Sequence, residues 1–401
     1  MKFNELGVLD SLIEVLQRQE IVEPTAVQEK LIPAIMQGIN VSATAPTGTG
    51  KTLAYILPTL AKIDTAKSGT QAVIIAPTYE LAMQITNVAR VLIAEAGLNI
   101  KVQGLIGGAN ISRQIEKLRE HPQLVIGSAG RMVELARKGK LKLNAVKLFI
   151  LDEFDRLLDK QNIMTVADLV KLLPNDRQIV MTSATAPKKA LEQADFLGSP
   201  EHIAIKESAK ESAARENLYL IVPFREKIEM VRRLSRSLGV KRGLVFINRI
   251  FDAEKTLAHL KYDGVKAGSL IGKGDKQERQ SAIAAIKSGK ITLLLATDIA
   301  ARGIDIPDVD YVFNLDIPES GEIYRHRAGR TARAGKKGTV ITLADIKEAA
   351  KLAALEKKLG IELKSLKKGA MRLTSAAKKS KNKKPVTKDK TGKKENKKNK
   401  H

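Results

Sequence analysis

Two patterns of apolar and polar residues alternate along this chain. Short continuous apolar runs, typical of strands buried on both faces of a parallel sheet, occur at 72–76, 124–126, 148–151 and 179–182. Between these runs, apolar residues recur at helical spacing, as in 80–94 and 111–119. Strands that alternate with helices predict a doubly wound, parallel α/β sheet.

The alternation stops once and then restarts. The polar stretch 206–216 shows neither pattern and is typical of a linker. Beyond it the sequence predicts strands at 217–222, 243–247, 291–296, 311–315 and 339–343, with helices at 226–238 and 253–261. Because 401 residues exceed what one compact core usually holds, we predict two tandem α/β domains, residues 1–205 and 217–363.

Charge is concentrated at one end of the chain. The whole sequence has 69 Lys and Arg against 44 Asp and Glu, a net charge of +25, and residues 364–401 contain 16 of those basic residues and two acidic ones. This Lys-rich segment is too polar to bury a core, so we predict a largely disordered tail. The charge indicates a polyanionic partner, nucleic acid first, with a merely solubilising tail as the alternative.

Composition excludes several classes of function. The sequence has no cysteine, which excludes disulfides, thiolate metal sites and cysteine nucleophiles, and its five histidines are scattered. No apolar run approaches the roughly 20 residues of a membrane span, and the first residues lack the layout of a signal peptide. We therefore expect a cytoplasmic protein without a membrane partner.

A phosphate-binding loop is predicted between an apolar region, 39–43, and a helical pattern, 53–61. Its sequence follows the form G-x-x-x-x-G-K-[ST], with an alanine in place of the first glycine. Glycines let backbone N–H groups surround phosphate oxygens, the lysine reaches the β- and γ-phosphates, and the final hydroxyl ligates Mg²⁺. A plain Gly-rich turn is the alternative. The predicted nucleotide-binding residues are Ala45, Pro46, Thr47, Gly48, Thr49, Gly50, Lys51 and Thr52.

Two adjacent carboxylates follow the apolar run 148–151. Asp152 and Glu153 stand at the carboxyl end of a predicted buried strand, where ligands bind in such sheets. Asp152 is placed to hold Mg²⁺, together with Thr52, and Glu153 to polarise an attacking water. Alone, such a pair could equally be the acidic first turn of a helix; the phosphate loop about 100 residues upstream favours the catalytic interpretation.

From about Phe3 to Gly338 the sequence resembles the DEAD-box ATP-dependent RNA helicases of helicase superfamily two. The resemblance lies in an ordered series of motifs rather than in any single one. The matching segments are Gln28 within 24–28, the phosphate loop, 77–84, Gly107-Gly108, 128–131, 152–155, 183–185, 244–249, 296–305 and 326–333.

The resemblance implies two RecA-like domains that bind ATP and Mg²⁺ between them and RNA, single-stranded or in short duplexes, through its sugar-phosphate backbone. It implies a monomer, with catalysis by Lys51, Asp152, Glu153 and two arginine fingers, Arg330 and Arg333. A solvated basic face is the alternative for these arginines and for Arg327. The remaining implied roles are adenine contact by Gln28, ribose contact by Asp305, coupling of the domains by Asp155, Ser183, Thr185 and His326, and RNA contact by Gly107, Gly108, Arg131, Arg249, Arg279 and Thr297.

The sequence departs from the family pattern at a few positions. Phe154 stands where the family has a small alanine, Tyr79 replaces an arginine, and Lys276 stands where we place a glutamine. We expect Phe154 to be a core residue and the chemistry to persist.

Three functions remain open from sequence. The leading one is an RNA-stimulated ATPase that unwinds short duplexes or remodels RNA–protein particles, with ribosomal RNA and pre-ribosomal particles as expected partners. An ATP-gated RNA clamp with weak turnover rests only on the three departures. A DNA translocase on a similar core disagrees with the ordered RNA-helicase motifs.

Overall fold

The computed structural model describes residues 1–184, 192, 195–198, 200–205, 214–270, 276–298, 300–301, 306–332 and 336–366, with the side chains of Asp195, Ile250, Phe251 and Lys276 left out. Within these ranges the chain forms two seven-stranded sheets in which every recorded pair of neighbouring strands is parallel. The predicted α/β class is therefore confirmed for both halves of the chain.

The first sheet has the strand order β3-β4-β2-β5-β6-β1-β7. Its strands are β1 (Val41–Thr44), β2 (Ala72–Ile75), β3 (Val102–Leu105), β4 (Leu124–Gly127), β5 (Leu148–Asp152), β6 (Gln178–Ser183) and β7 (Glu201–Ala204). The helices are α1 (Asp10–Arg18), α2 (Ala26–Met36), α3 (Lys51–Lys62), α4 (Tyr79–Glu95), α5 (Ile111–Leu118), α6 (Ala129–Arg137), α7 (Phe154–Leu157) and α8 (Ile163–Val170).

The second sheet has the order β10-β11-β9-β12-β13-β8-β14. Its strands are β8 (Arg215–Ile221), β9 (Gly243–Phe246), β10 (Ala267–Ser269), β11 (Leu293–Ala296), β12 (Tyr311–Asn314), β13 (Gly338–Ala344) and β14 (Lys364–Ser365). The helices are α9 (Lys227–Ser237), α10 (Ile250–Tyr262), α11 (Lys276–Lys287), α12 (Gly321–Ala328) and α13 (Ala349–Leu359). Short 3-10 helices cover Asn4–Leu6, Asp195–Leu197, Phe224–Glu226 and Ile346–Glu348.

Each sheet separates two apolar cores. In the first, Ile74 and Ile150 face a core shared with α1 to α4, whereas Val73 and Phe149 face a core shared with α6 to α8. Alternate residues of a strand point to opposite faces, so a strand covered on both sides must be apolar throughout. This is why the buried strands were readable as continuous apolar runs.

One boundary differs from the sequence prediction. Lys364 and Ser365, which we assigned to the tail, pair with Leu218 and Tyr219 at the edge of the second sheet. Leu363 is buried beside them and Leu366 packs on the adjacent core, so these two leucines anchor a short strand that the Lys-rich composition hides. The remaining tail, from residue 367, lies outside the described residues, as do 206–213 of the predicted linker. None of the described helices is long and apolar enough to span a bilayer.

Candidate active site between the two sheets

The phosphate loop connects β1 to α3, at the carboxyl edge of the first sheet. Gly48 and Gly50 have φ angles of 82° and 85°, a region that side-chain-bearing residues rarely adopt. The Lys51 ammonium donates to the carbonyl oxygens of Ala45 (2.7 Å) and Pro46 (2.8 Å). Burial lowers the pKa of Lys51 to about 8, against the opposing effect of nearby carboxylates. The lysine therefore already lies inside the loop, where the predicted phosphate contact requires it.

Gln28 is attached to this loop. Its side-chain amide donates to the Gly50 carbonyl oxygen (3.2 Å), and its carbonyl oxygen accepts from the Thr25 backbone N–H (2.8 Å). The Thr25 hydroxyl donates to the Thr49 carbonyl oxygen (2.7 Å), a second link to the loop. An amide has two N–H donors and two carbonyl lone pairs, so each end of Gln28 retains one hydrogen-bonding position. Adenine contact by Gln28 stays a prediction.

Asp152 is held by three donors at the end of β5. The Tyr55 hydroxyl donates to its Oδ2 (2.9 Å), and the Thr182 hydroxyl (2.6 Å) and the Glu153 backbone N–H (3.1 Å) donate to its Oδ1. A carboxylate has about four lone-pair positions, so only about one remains for another partner. This count favours metal contact through water or a single oxygen. Tyr55 is fully buried, and burial followed by the Asp152 charge raises its pKa well above the ordinary value.

Glu153 has an unusual backbone. Its φ of 52° lies in the left-handed region, which costs energy for a residue with a side chain. Burial raises the pKa of its carboxyl, while the charges of Arg156 and of Arg330 from the second sheet act to lower it. The same Arg330 charge acts on Lys51. The predicted base, phosphate-binding lysine and arginine finger therefore lie within electrostatic reach of one another.

The donor set fits a magnesium ion. Thr52 and Asp152 offer hydroxyl and carboxylate oxygens, the ligands that Mg²⁺ prefers. The buried Tyr55 phenol donates to Asp152 (2.9 Å), and Tyr55 follows Thr52 by one turn of α3.

The predicted coupling residues meet where the two halves of the chain face each other. The Ser183 hydroxyl donates to Asp155 Oδ1 (2.7 Å), and side-chain atoms of Asp155, Glu322 and His326 lie within 4.8 Å of one another. A cavity of about 250 Å³ here is lined by residues of both halves, among them Arg330. Thr185 and Arg333, predicted for the same network, and Asp305, predicted for the ribose, lie outside the described residues.

Arg327 is a structural residue, so a solvated basic face is the wrong interpretation for it. Its side chain is 1% exposed and forms a two-pronged pair with Asp298 (2.7 Å to each oxygen). It also donates to the Asn248 side chain (2.8 Å) and stacks 5.1 Å above the Phe246 ring. One arginine thereby joins three motif segments of the second half, at 244–249, 296–305 and 326–333.

Gly329 of the second half lies close against Thr47 of the phosphate loop. A methyl group added at Gly329 would lie 1.5 Å from the Thr47 hydroxyl oxygen, far inside contact distance. The φ of Gly329 is an ordinary −69°, so its backbone conformation does not require glycine. Glycine is required because no room remains for a side chain between this residue and Thr47.

The predicted RNA contacts form one group in each half. In the first, Gly107 and Gly108 are exposed after β3, and Arg131 donates to the carbonyl oxygen of the adjacent Ala109 (3.4 Å). In the second, exposed Arg249 follows β9 and Thr297 follows β11. All five lie at the carboxyl edges of their sheets.

Arg279 has a partner in the opposite half. Its guanidinium is 2.7 Å from the Glu80 carboxylate and donates to the Ala300 carbonyl oxygen (2.7 Å). Tyr79 lies beside this pair and lines a cavity of about 550 Å³ with it. The charge of Arg279 is therefore partly compensated by Glu80, and RNA contact by Arg279 stays a prediction. Phe154 is fully buried in the core, as expected, and the Lys276 side chain lies outside the described residues.

Several site residues have no signal that sequence reasoning could use alone. Tyr55 and Thr182 surround Asp152 because α3 packs on the sheet and because β5 pairs with β6 in the register that sets Asp152 beside Thr182. Glu80 meets Arg279 only through the arrangement of the two halves. Tyr55 stands three residues after Thr52, one helical turn, and that spacing is the one available hint.

Fold and site together define a two-domain ATPase with a phosphate loop at the carboxyl edge of a RecA-like sheet. Family models described as DEAD/DEAH box helicase and as helicase conserved C-terminal domain match residues 25–194 and 226–335. The chain belongs to the DEAD-box ATP-dependent RNA helicases.

The relatives cover most of the chain. The DEAD-box ATP-dependent RNA helicase CshC of Bacillus cereus is 43% identical over 340 residues, which are 84% of this chain and 86% of that protein. The probable ATP-dependent RNA helicase YfmL of Bacillus subtilis is 42% identical over 342 residues, 85% of this chain and 90% of that protein. The structure of S. cerevisiae Dbp5 bound to RNA and ADP BeF3 is similar with a TM-score of 0.82 at 27% identity, over 94% of this chain and 98% of that one.

Proposed function

We propose that the chain is an RNA-stimulated ATPase that uses ATP binding and hydrolysis to unwind short RNA duplexes or to remodel RNA–protein particles. The observation that carries the proposal is the cavity between the two domains, in which Arg330 of the second domain faces Asp155 and Arg156, the residues that follow Glu153 in the first. Membership of the RNA helicase family supports RNA as the activating ligand.

Each site residue has a separate role in the proposed reaction. Lys51 binds the β- and γ-phosphates within the loop, and Arg330, which stays charged, stabilises the charge that develops on the transferred phosphoryl group. Glu153 accepts the proton of the attacking water. Mg²⁺ held at Thr52 and Asp152 would neutralise phosphate charge. Because Arg330 and the other groups come from different domains, the full set is present only when the domains are closed.

RNA binding and ATP binding then support each other. Predicted RNA contacts and nucleotide contacts both come from the two domains, so each ligand favours the same closed arrangement. Two ligands that favour one state must tighten each other's binding. This linkage is how an RNA strand would stimulate hydrolysis.

Steady-state ATPase measured with RNA, with DNA of the same sequence and with neither tests the proposal. We expect stimulation by RNA at least about tenfold above that by DNA, a difference of about 1.4 kcal/mol in activation free energy. A rate that ignores RNA would refute it, and equal stimulation by DNA would favour a translocase. Release of a labelled strand from a short duplex tests unwinding in the same samples.

The clamp alternative has little structural support. It rested partly on Phe154, which is buried in the core. Asp152 and Glu153 remain adjacent at the end of β5, where the Glu153 backbone N–H donates to Asp152. As to biological role, we propose ribosomal RNA or pre-ribosomal particles as the substrate, and a cytoplasmic monomer as the active form. Crosslinking the protein to RNA in cells and sequencing the bound RNA tests the substrate; light scattering tests the monomer.

Tyr55→Phe tests whether the buried phenol positions the metal ligand. Loss of one donor leaves Asp152 less firmly oriented, and loss of a supporting contact typically weakens metal affinity about tenfold or more. We expect the Mg²⁺ concentration for half-maximal binding of a fluorescent ADP to rise about tenfold. Tyr324→Phe, which removes an equally buried hydroxyl bonded to Asn217 in the second domain, should leave it unchanged. Equal Mg²⁺ dependence in both variants would contradict the role of Tyr55.

A further inference from the structure

A groove lies at the amino edge of the first sheet, opposite the candidate active site. It has a volume of about 410 Å³ and is formed by the loop before β2, the end of α5, the turn before β4 and the segment after α6. Its basic residues are Arg119, His121, Lys140 and Lys142, and no Asp or Glu is among the described residues that line it. We call these four residues and the cavity between them the basic groove.

The four basic residues of the basic groove are exposed. Among the described residues, no carboxylate lies within salt-bridge distance of any of the four, although Glu116 and Glu120 are close in sequence. Basic residues on the same edge behave differently: Arg137, Lys138 and Lys147 pair with Asp168, Glu134 and Asp176. The groove therefore concentrates uncompensated positive charge, which focuses the local field.

The walls of the basic groove are fixed. The Thr70 hydroxyl donates to the Pro122 carbonyl oxygen (3.2 Å), and the Lys140 and Leu141 backbone N–H groups donate to the Leu135 carbonyl oxygen (2.9 and 3.1 Å). Buried Leu118 and Leu141 form an apolar floor. A preformed groove loses little conformational freedom on binding a strand.

One helix connects the basic groove to the predicted RNA site. Helix α5 begins three residues after Gly108 and ends at Leu118, directly before Arg119. Its eight residues span about 12 Å, the reach of a few nucleotides. Exposed Arg113 and Lys117 are four residues apart, so they lie on one face of α5 between the two sites.

We propose that the basic groove is a second RNA-binding site, which holds the phosphates of single-stranded RNA that leaves the carboxyl edge of the first domain along α5. RNA suits it because a strand offers a regular row of negative charges, and because its sugars can lie on an apolar floor. The proposal rests on the proposed function for the identity of the polyanion. Contacts of this kind add affinity without sequence preference.

The test compares two triple variants of the full chain. The groove variant carries Arg119→Gln, Lys140→Gln and Lys142→Gln; the control variant carries Arg137→Gln, Lys138→Gln and Lys147→Gln. Both lose three positive charges from the same edge, but the control loses them from ion-paired residues. Anisotropy of labelled oligouridines of about 8 and about 30 nucleotides, lengths that span common single-strand site sizes, gives the affinities between about 50 and 300 mM KCl.

We expect the groove variant to bind the long RNA about five- to tenfold more weakly at low salt, with a salt slope smaller by about 2, from about 0.7 for each lost contact. Its affinity for the short RNA should stay within about twofold of the unmodified protein, as should both affinities of the control variant. Equal loss in the two variants, or no loss in the groove variant, would overturn the proposal. The proposal would also be overturned if the groove variant bound RNA normally but no longer bound polyglutamate or anionic vesicles.

ATPase stimulated by the short RNA separates the two proposals. If that stimulation is absent from the unmodified protein, the proposed function fails, whatever the long RNA shows. Both proposals stand if two results are obtained together. The short RNA must stimulate the unmodified protein, the groove variant and the control variant equally, and only the groove variant must bind the long RNA more weakly.

Discussion

Replacing Glu153 by glutamine is expected to lower kcat of the RNA-stimulated ATPase by about a thousandfold, within the range for loss of a general base. Glutamine keeps the size of the side chain and its position next to Asp152, but it cannot take a proton from water. The affinity for ATP should change by no more than a few fold, because Lys51 and the phosphate loop are untouched. Single-turnover hydrolysis and binding of a fluorescent nucleotide measure the two quantities.

Asp176→Asn is the control for that experiment, since it likewise replaces a carboxylate by its amide. Asp176 makes a surface ion pair with Lys147 in which both side chains are 66% exposed, and pairs of this kind contribute little. Its loss should leave kcat within about twofold, since no reacting group is near. If Glu153→Gln retained more than about a tenth of the rate, Glu153 would not be the base.

Arg327→Met is expected to destabilise the second domain by about 3–5 kcal/mol, because it leaves the Asp298 carboxylate without its buried partner. The Asn248 side chain and the Asp316 carbonyl oxygen lose a donor at the same time. Urea unfolding followed by circular dichroism should show a midpoint lower by about 1 M or more. RNA-stimulated ATPase should fall with it, because Arg330 stands one turn beyond on the same chain segment.

Two further variants show whether the buried pair is the cause. Arg325→Met removes an exposed arginine from the same helix, α12, and should shift the midpoint very little. Combining Arg327→Met with Asp298→Asn removes both charges and should recover much of the lost stability, since a neutral pair avoids the unpaired charge. A double variant as unstable as the single one would mean that packing over Phe246, rather than charge, holds this region together.

The sequence predicted the buried parts of the fold well, because a strand covered on both faces has a continuous apolar run. Strands β2 and β5 and helix α4 lie within one or two residues of their predicted limits. Strands β3 and β10 were not predicted, because edge strands are short and half-exposed and these contain Gly104 and Gly268. Three or four residues are too few for a recognisable alternation of apolar and polar positions.

Some residues of the candidate site could be predicted from the sequence and others could not. The phosphate loop and the carboxylates after β5 were readable, because their chemistry depends on residues adjacent in the chain. The surroundings of Asp152 were not, since they depend on strand register. The buried pairing of Arg327 with Asp298 was not predicted either, because it joins two segments that are distant in the sequence. Pairing between domains, as in Glu80 and Arg279, has no local pattern at all.

The clearance between Gly329 and Thr47 has a consequence for how tolerance to mutation should be measured in this protein. Within its own domain, the nearest atom to a methyl group at 329 is the Arg325 carbonyl oxygen at 3.2 Å, which a small shift relieves. The second domain expressed by itself would therefore accept alanine there with little loss, and a screen for folding would score the position as permissive. Glycine is required at this position by Thr47 of the other domain. Its replacement should therefore lower activity only in an assay that depends on the closed arrangement of both domains.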